Sequence, residues 1–96
     1  MNVRVELFAN RSVQEDLFER LQKEGLAQYF SLIPETQGVG INGPRRGDHI
    51  WPEENFILIA YVPEEEARRI KVVVEDLREF FPTEGITLFA TPAMEL

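Results

Sequence analysis

Residues 37–55, QGVGINGPRRGDHIWPEEN, cannot join a compact core, and this divides the rest of the chain into two parts. The stretch holds four of the six glycines, two of the six prolines, and the only tryptophan and histidine. Pro44 and Pro52 exclude a regular helix or a central strand, because each lacks a backbone donor and fixes φ. The glycines relax the backbone between them. Strand patterns lie on both sides, so the segment is an excursion between two strands. Excursions of this length in a short domain are uncommon, and they are usually functional or disordered. The expectation is a long flexible loop at about 38–54 that carries recognition.

The flanking segments read clearly. Val3, Val5, Leu7 and Ala9 alternate with Arg4, Glu6 and Phe8, the period of a half-buried strand. Ser12-Val13-Gln14-Glu15 has the capping-box pattern, and Val13, Leu17, Phe18 and Leu21 form a helical stripe that Gly25 is placed to end. Leu26 to Gln37 reads as a second strand, with Pro34 marking an edge or a bulge near its end. After the loop, Phe56-Ile57-Leu58-Ile59-Ala60-Tyr61-Val62 is apolar on both parities, the pattern of a strand covered on both faces. Pro63 and Glu64-Glu65-Glu66 suit a helix start, and Ala67, Ile70, Val74, Leu77 and Phe81 follow at spacings of three and four. Glu64–Arg68 and Glu65–Arg69 are i,i+4 pairs on its surface. Pro82 closes the helix, and Ile86 to Ala90 is a last short strand.

The order βαββαβ, with right-handed crossovers, gives a ferredoxin-like α+β fold. This is an antiparallel four-stranded sheet with both helices on one face and the first and third strands central. The 96 residues are expected to form a single domain, 1–96. Two helices cover one face only, yet the third strand is apolar on both, and Phe8 and Phe89 project opposite the helices. Monomers do not normally leave such a patch wet. A second copy of the chain is the simplest cover.

Composition narrows the function. A net charge of −7 argues against a general nucleic-acid binder, which needs a cationic footprint. The third strand also lacks the basic-glycine-aromatic signature of RNA recognition modules. No apolar run approaches the ~18 residues of a membrane helix, and no signal peptide is visible, so no membrane insertion and a cytoplasmic location are expected. There is no cysteine nucleophile, and the serines lie far in sequence from the lone His49, so no enzyme is expected.

Within the loop, Gly38-Val39-Gly40-Ile41-Asn42-Gly43 matches the dinucleotide fingerprint by letters. That mechanism needs a helix N-terminus at the phosphates, and Pro44-Arg45-Arg46 starts none. Arg45 and Arg46 are the only basic pair there, and their guanidinium groups match phosphate or carboxylate oxygens two at a time. His49, with Asp48, Glu53 and Glu54, has the ligand types for a divalent ion. Trp51 is the kind of large aromatic that anchors a partner protein.

Taken together, the chain resembles the PII-like signalling proteins, the nitrogen-regulatory PII family and its relatives. The resemblance rests on Glu24-Gly25-Leu26 leading into a strand, on Gln37-Gly38-Val39-Gly40 opening a loop over Ile41 to Glu54, and on Val62-Pro63-Glu64. It implies a homotrimer whose sheets face inward, a regulatory rather than catalytic role, and a mobile loop reading a ligand or partner. It also implies ATP or ADP bound between subunits. Gly38, Gly40 and Asn42 match the nucleotide motif, whereas Phe81-Pro82-Thr83-Glu84-Gly85-Ile86 lacks the phosphate-binding lysine and adds an acid. The tyrosine that some members uridylylate has no counterpart in the loop. CutA-like proteins are the second resemblance, on Ile33-Pro34, Trp51 and Thr91-Pro92. They imply a trimer binding divalent metal ions, with His49 as the ligand. The leading expectation is a non-enzymatic PII-like trimer whose 38–54 loop binds a small anion through Gly38, Gly40, Asn42, Arg45 and Arg46, or a partner through Trp51.

Overall fold

A computed structural model describes residues 2–40, 43–45 and 54–96. In chain order these form β1 (Asn2–Asn10), a 3-10 turn (Arg11–Val13), α1 (Gln14–Glu24), β2 (Ser31–Thr36), β3 (Gly38–Gly40) and β4 (Gly43–Arg45). They are followed by β5 (Asn55–Pro63), α2 (Glu64–Phe80) and β6 (Ile86–Pro92). The main sheet has the order β2-β5-β1-β6, with every pairing antiparallel. β1 and β5 are central, as the alternating and doubly apolar patterns required.

One face of this sheet makes the core. Val3, Val5 and Leu7 of β1, and Phe56, Leu58 and Ala60 of β5, are buried against Leu17 and Leu21 of α1 and Ile70, Val73, Val74 and Leu77 of α2. Phe18 packs between Phe56, edge to face at 6.1 Å, and Phe30 at 5.3 Å, which closes the α1 side. Arg20 joins the helices, reaching Glu24 at 3.1 Å and Asp76 at 3.0 Å. Both carboxylates hold its guanidinium above the ordinary arginine range, Asp76 more strongly.

Four local expectations change. α1 is not started by Ser12; instead the buried Asn10 side chain accepts from the Ser12 N–H at 2.9 Å, and a 3-10 turn leads into the helix at Gln14. The second strand begins at Ser31 rather than Leu26, because Gly25 takes φ 67° and Ala27 φ 49°. That left-handed path turns Leu26 and Ala27 into the core. The Ala27 N–H then donates to Glu66 Oε2 at 2.8 Å, fastening the bend to the first turn of α2. Pro63 is the N-cap of α2 rather than its first helical residue. Of the two i,i+4 pairs, Glu64–Arg68 forms at 3.2 Å, while Arg69 instead reaches the Glu24 carbonyl at 3.3 Å.

The other face of the sheet has no helix. Phe8 and Phe89 meet there edge to face at 6.2 Å, beside Ile33, Ile57, Ile59 and Tyr61. Phe89 is 56% exposed and Tyr61 58%. β5 is therefore covered on one side only within a single chain.

The Glu66 contact gives a direct test. Glu66→Ala should lower unfolding free energy by about 1.5–3 kcal/mol, since the Ala27 N–H loses a charged acceptor. Glu66→Gln should retain most of that stability, both read by urea denaturation.

Candidate functional site

The termini of four strands and two loops converge at one end of the sheet, where the 38–54 excursion leaves and returns. β1 ends at Asn10, whose N–H donates to the Gly85 carbonyl at 3.2 Å and so brings the loop after α2 to this corner. The next residue, Arg11, donates its N–H to the Glu54 carbonyl at 2.6 Å. Its guanidinium lies 3.3 Å from Glu54 Oε2 and 3.9 Å from Glu35 Oε1. Thr36 Oγ1 donates to the Asn55 carbonyl at 3.2 Å, pinning the end of β2 to the start of β5. That pin follows the register shift between Ile33 and Thr36, the bulge foreseen from Pro34.

The excursion starts as a hairpin. β3 and β4 pair antiparallel with Gly38 opposite Arg45, Val39 opposite Pro44 and Gly40 opposite Gly43. Pro44 is tolerated because a two-stranded ribbon is all edge. The backbone thus brings together Gly38, Gly40 and Arg45, three of the residues expected to hold an anion. Gly38–Gly40 is strand and opens no helix, so the fingerprint match in this segment lacks its phosphate-binding geometry. Asn42, Arg46, His49 and Trp51 lie outside the described residues. So do Asp48 and Glu53, while Glu54 is already engaged by Arg11. Among the described residues no group of three histidine, cysteine, aspartate or glutamate side chains has metal-binding proximity.

The charge at this corner runs against the expected anion. Glu35 and Glu54 flank Arg11, and Glu84 lies in the loop whose Gly85 carbonyl meets Asn10. In the loop after α2, Glu84 Oε2 is buried without a hydrogen-bond partner among the described residues. Sequence reading missed Arg11. It follows the first strand without any motif, and its partners lie 24 and 43 positions away.

The fold has counterparts among solved structures. CPII from Thiomonas intermedia K12, a nitrogen regulatory PII-like protein bound to ADP, AMP and bicarbonate, superposes with a TM-score of 0.71 at 20% identity, covering 94% of this chain and 83% of that one. A protein described as PII-like and signalling, from Thermus thermophilus, gives 0.66 at 22% identity, covering 94% and 84%. The apo form of CPII gives 0.63 at 17% identity.

This is the fold of the PII-like proteins. No family model matches the sequence, and no curated protein matches it. The PII-like neighbours favour the first resemblance over the CutA-like alternative. No helix among the described residues is long and apolar enough to cross a membrane.

The Arg11 cluster is largely solvated, the guanidinium side chain being 59% exposed. Arg11→Ala should therefore cost less than about 1 kcal/mol in chemical denaturation, the range of surface ion pairs. A loss well above that would show that the corner is dry in the assembled protein.

Proposed function

We propose that this chain is a non-enzymatic PII-like regulatory protein. In this reading it assembles as a homotrimer through the open face of its sheet and senses a small anionic ligand through the 38–54 segment and the adjoining intersubunit cleft. One observation carries the reading: the PII-like fold has an uncovered apolar sheet face, and a hairpin at its end sets Gly38 opposite Arg45. The apolar face supplies the reason to assemble. The hairpin sets Arg45, first of the basic pair in the sequence, at the base of the excursion, where a bound ligand can select one loop conformation over others.

The ligand class is taken from the neighbours. ADP, AMP and bicarbonate, which CPII binds, are the first candidates, and all are anions. The missing lysine and the added Glu84 weaken a polyphosphate, so bicarbonate or a monophosphate suits this corner better than ATP. Trp51 is the proposed anchor for a partner protein when the ligand is bound.

Assembly and ligand are tested separately. Native mass spectrometry should show a trimer, and Phe89→Glu should yield monomer with unchanged helical circular dichroism, because that side chain is half exposed in a single chain and faces Glu6 across the strands. A wild-type monomer in dilute buffer would remove the intersubunit cleft. Calorimetry with bicarbonate, AMP, ADP and ATP should show binding that Arg45→Ala and Arg46→Ala weaken by about tenfold or more, the effect of losing a charge-assisted contact. Unchanged affinities would defeat the anion assignment while leaving the trimer standing.

A further inference from the structure

The two edges of the main sheet are protected unequally. β2, on one side, contains Pro34 and shifts register between Ile33 and Thr36, so its outward ladder is interrupted. Prolines and bulges are ordinary devices that stop an edge strand from pairing further. β6, on the other side, has no bulge and a proline only at its last residue, Pro92. Residues 86–91, ITLFAT, contain no charge, proline or glycine, and the register with β1 is unbroken from Ala9↔Ile86 to Val3↔Pro92. β6 is paired on one side only. Its free row of N–H and C=O groups, on a β-branched and aromatic strand, is a template for another strand.

A groove of about 370 Å³ runs beside this edge, between β6 and α2. Its floor includes Val74, Leu88 and Ala90, and its rim carries Arg68, Lys71 and Arg78. Leu88 and Ala90 lie on the helix side of the sheet, yet α2 leaves Ala90 exposed and Leu88 half-buried. Arg78 Nε donates to the Ile86 carbonyl at 2.9 Å, tying the rim to the start of the strand. Arg68 has only the exposed contact with Glu64, and Lys71 is exposed with no partner among the described residues. Three cations and one carboxylate, Glu64, thus line one groove of a chain whose net charge is −7.

We infer that the β6 edge and its groove receive an extended acidic peptide segment of a partner protein. The segment adds as a fifth strand, and the alternate side chains that it turns toward α2 place carboxylates against Arg68, Lys71 and Arg78. Other occupants fit less well. The β6 edge of a second copy would bring two cationic rims together, and the β2 edge is interrupted at Pro34. Residues 93–96 continue from β6 itself, and the Ala93 N–H donates to the Asn2 carbonyl at 3.1 Å, which holds their start on the β1 side, away from the free edge. This surface lies on the helix face and edge, so it requires neither the trimer nor an anion at the loop.

The test uses the full chain and a fluorescein-labelled octapeptide of alternating glutamate and valine, followed by fluorescence anisotropy at low salt. Saturable binding is expected, weakened about tenfold by Arg68→Glu combined with Lys71→Glu and about threefold by the milder Lys71→Gln, as expected for lost charge complementarity. N-methylation of alternate peptide amides should abolish it, and a lysine–valine peptide should not bind. Hydrogen exchange of the β6 amides should slow on adding the peptide. The inference is overturned by absent saturable binding, or by equal affinity for the charge-reversed protein or the N-methylated peptide. It is also overturned if the β6 amides of the free protein are already as protected as those of β1, which would place a copy of the chain on this edge.

Discussion

The structure depends on the pairing of β1 with β5 and on the fact that only one side of that pair is dry. Nine residue pairs, from Asn2↔Pro63 to Asn10↔Asn55, run without a break. A two-residue period then sends Val5, Leu7, Leu58 and Ala60 to the helices and Phe8, Ile57 and Ile59 to the other side. A slip of one residue would exchange the two sets and leave the helices without a core to pack on. The register that makes the core therefore also makes the open face, and the two cannot be separated by local change.

That coupling explains how much could be read from the sequence. β1, α1, β5 and α2 were legible because each carries its own periodicity, and the doubly apolar β5 signalled both the core and the open face. Pro34 marked the bulge correctly, since a missing donor acts through local hydrogen bonding alone. The misread positions were those decided by distant partners. Leu26 to Phe30 alternates like a strand, but Gly25 and Ala27 take left-handed backbone and Glu66, 39 positions on, holds the bend. Ser12 has the right spacing for a cap, yet Asn10 wins because it sits where the strand ends and is buried there. Arg11 gives no local signal because Glu35 and Glu54 reach it only after the sheet has formed.

The excursion was legible to a similar depth. Glycine and proline content located the excursion, and its stem brings Gly38 opposite Arg45. What spacing could not reveal was the acidity of the corner into which the stem is set. Glu35 and Glu54 come from separate segments, and only the fold brings them to Arg11. Their presence makes binding of an anion a contest between a basic pair on the excursion and a carboxylate-rich base. In that contest, a ligand with little negative charge is favoured over one with several phosphates.

The open face carries a charged cluster, and it bears on how a second copy could sit there. Arg4 lies opposite Tyr61 across the β1–β5 ladder, donates to its hydroxyl at 2.8 Å, and pairs with Glu6 at 3.1 Å. The tyrosine contact first, and then Glu6, hold the guanidinium above its ordinary range. A raised folded-state pKa favours the charged form, and here the titration lies above any working pH, so this arginine stays charged and contributes no pH-dependent loss of stability between mild acid and mild base. In the proposed trimer these groups would enter the interface already paired with one another. An arginine buried without partners would oppose assembly, whereas one satisfied within its own chain lets the neighbouring Phe8, Ile57, Ile59 and Phe89 supply the association. The same network fixes the orientation of Tyr61, so the apolar surface of this face has a defined shape within the single chain.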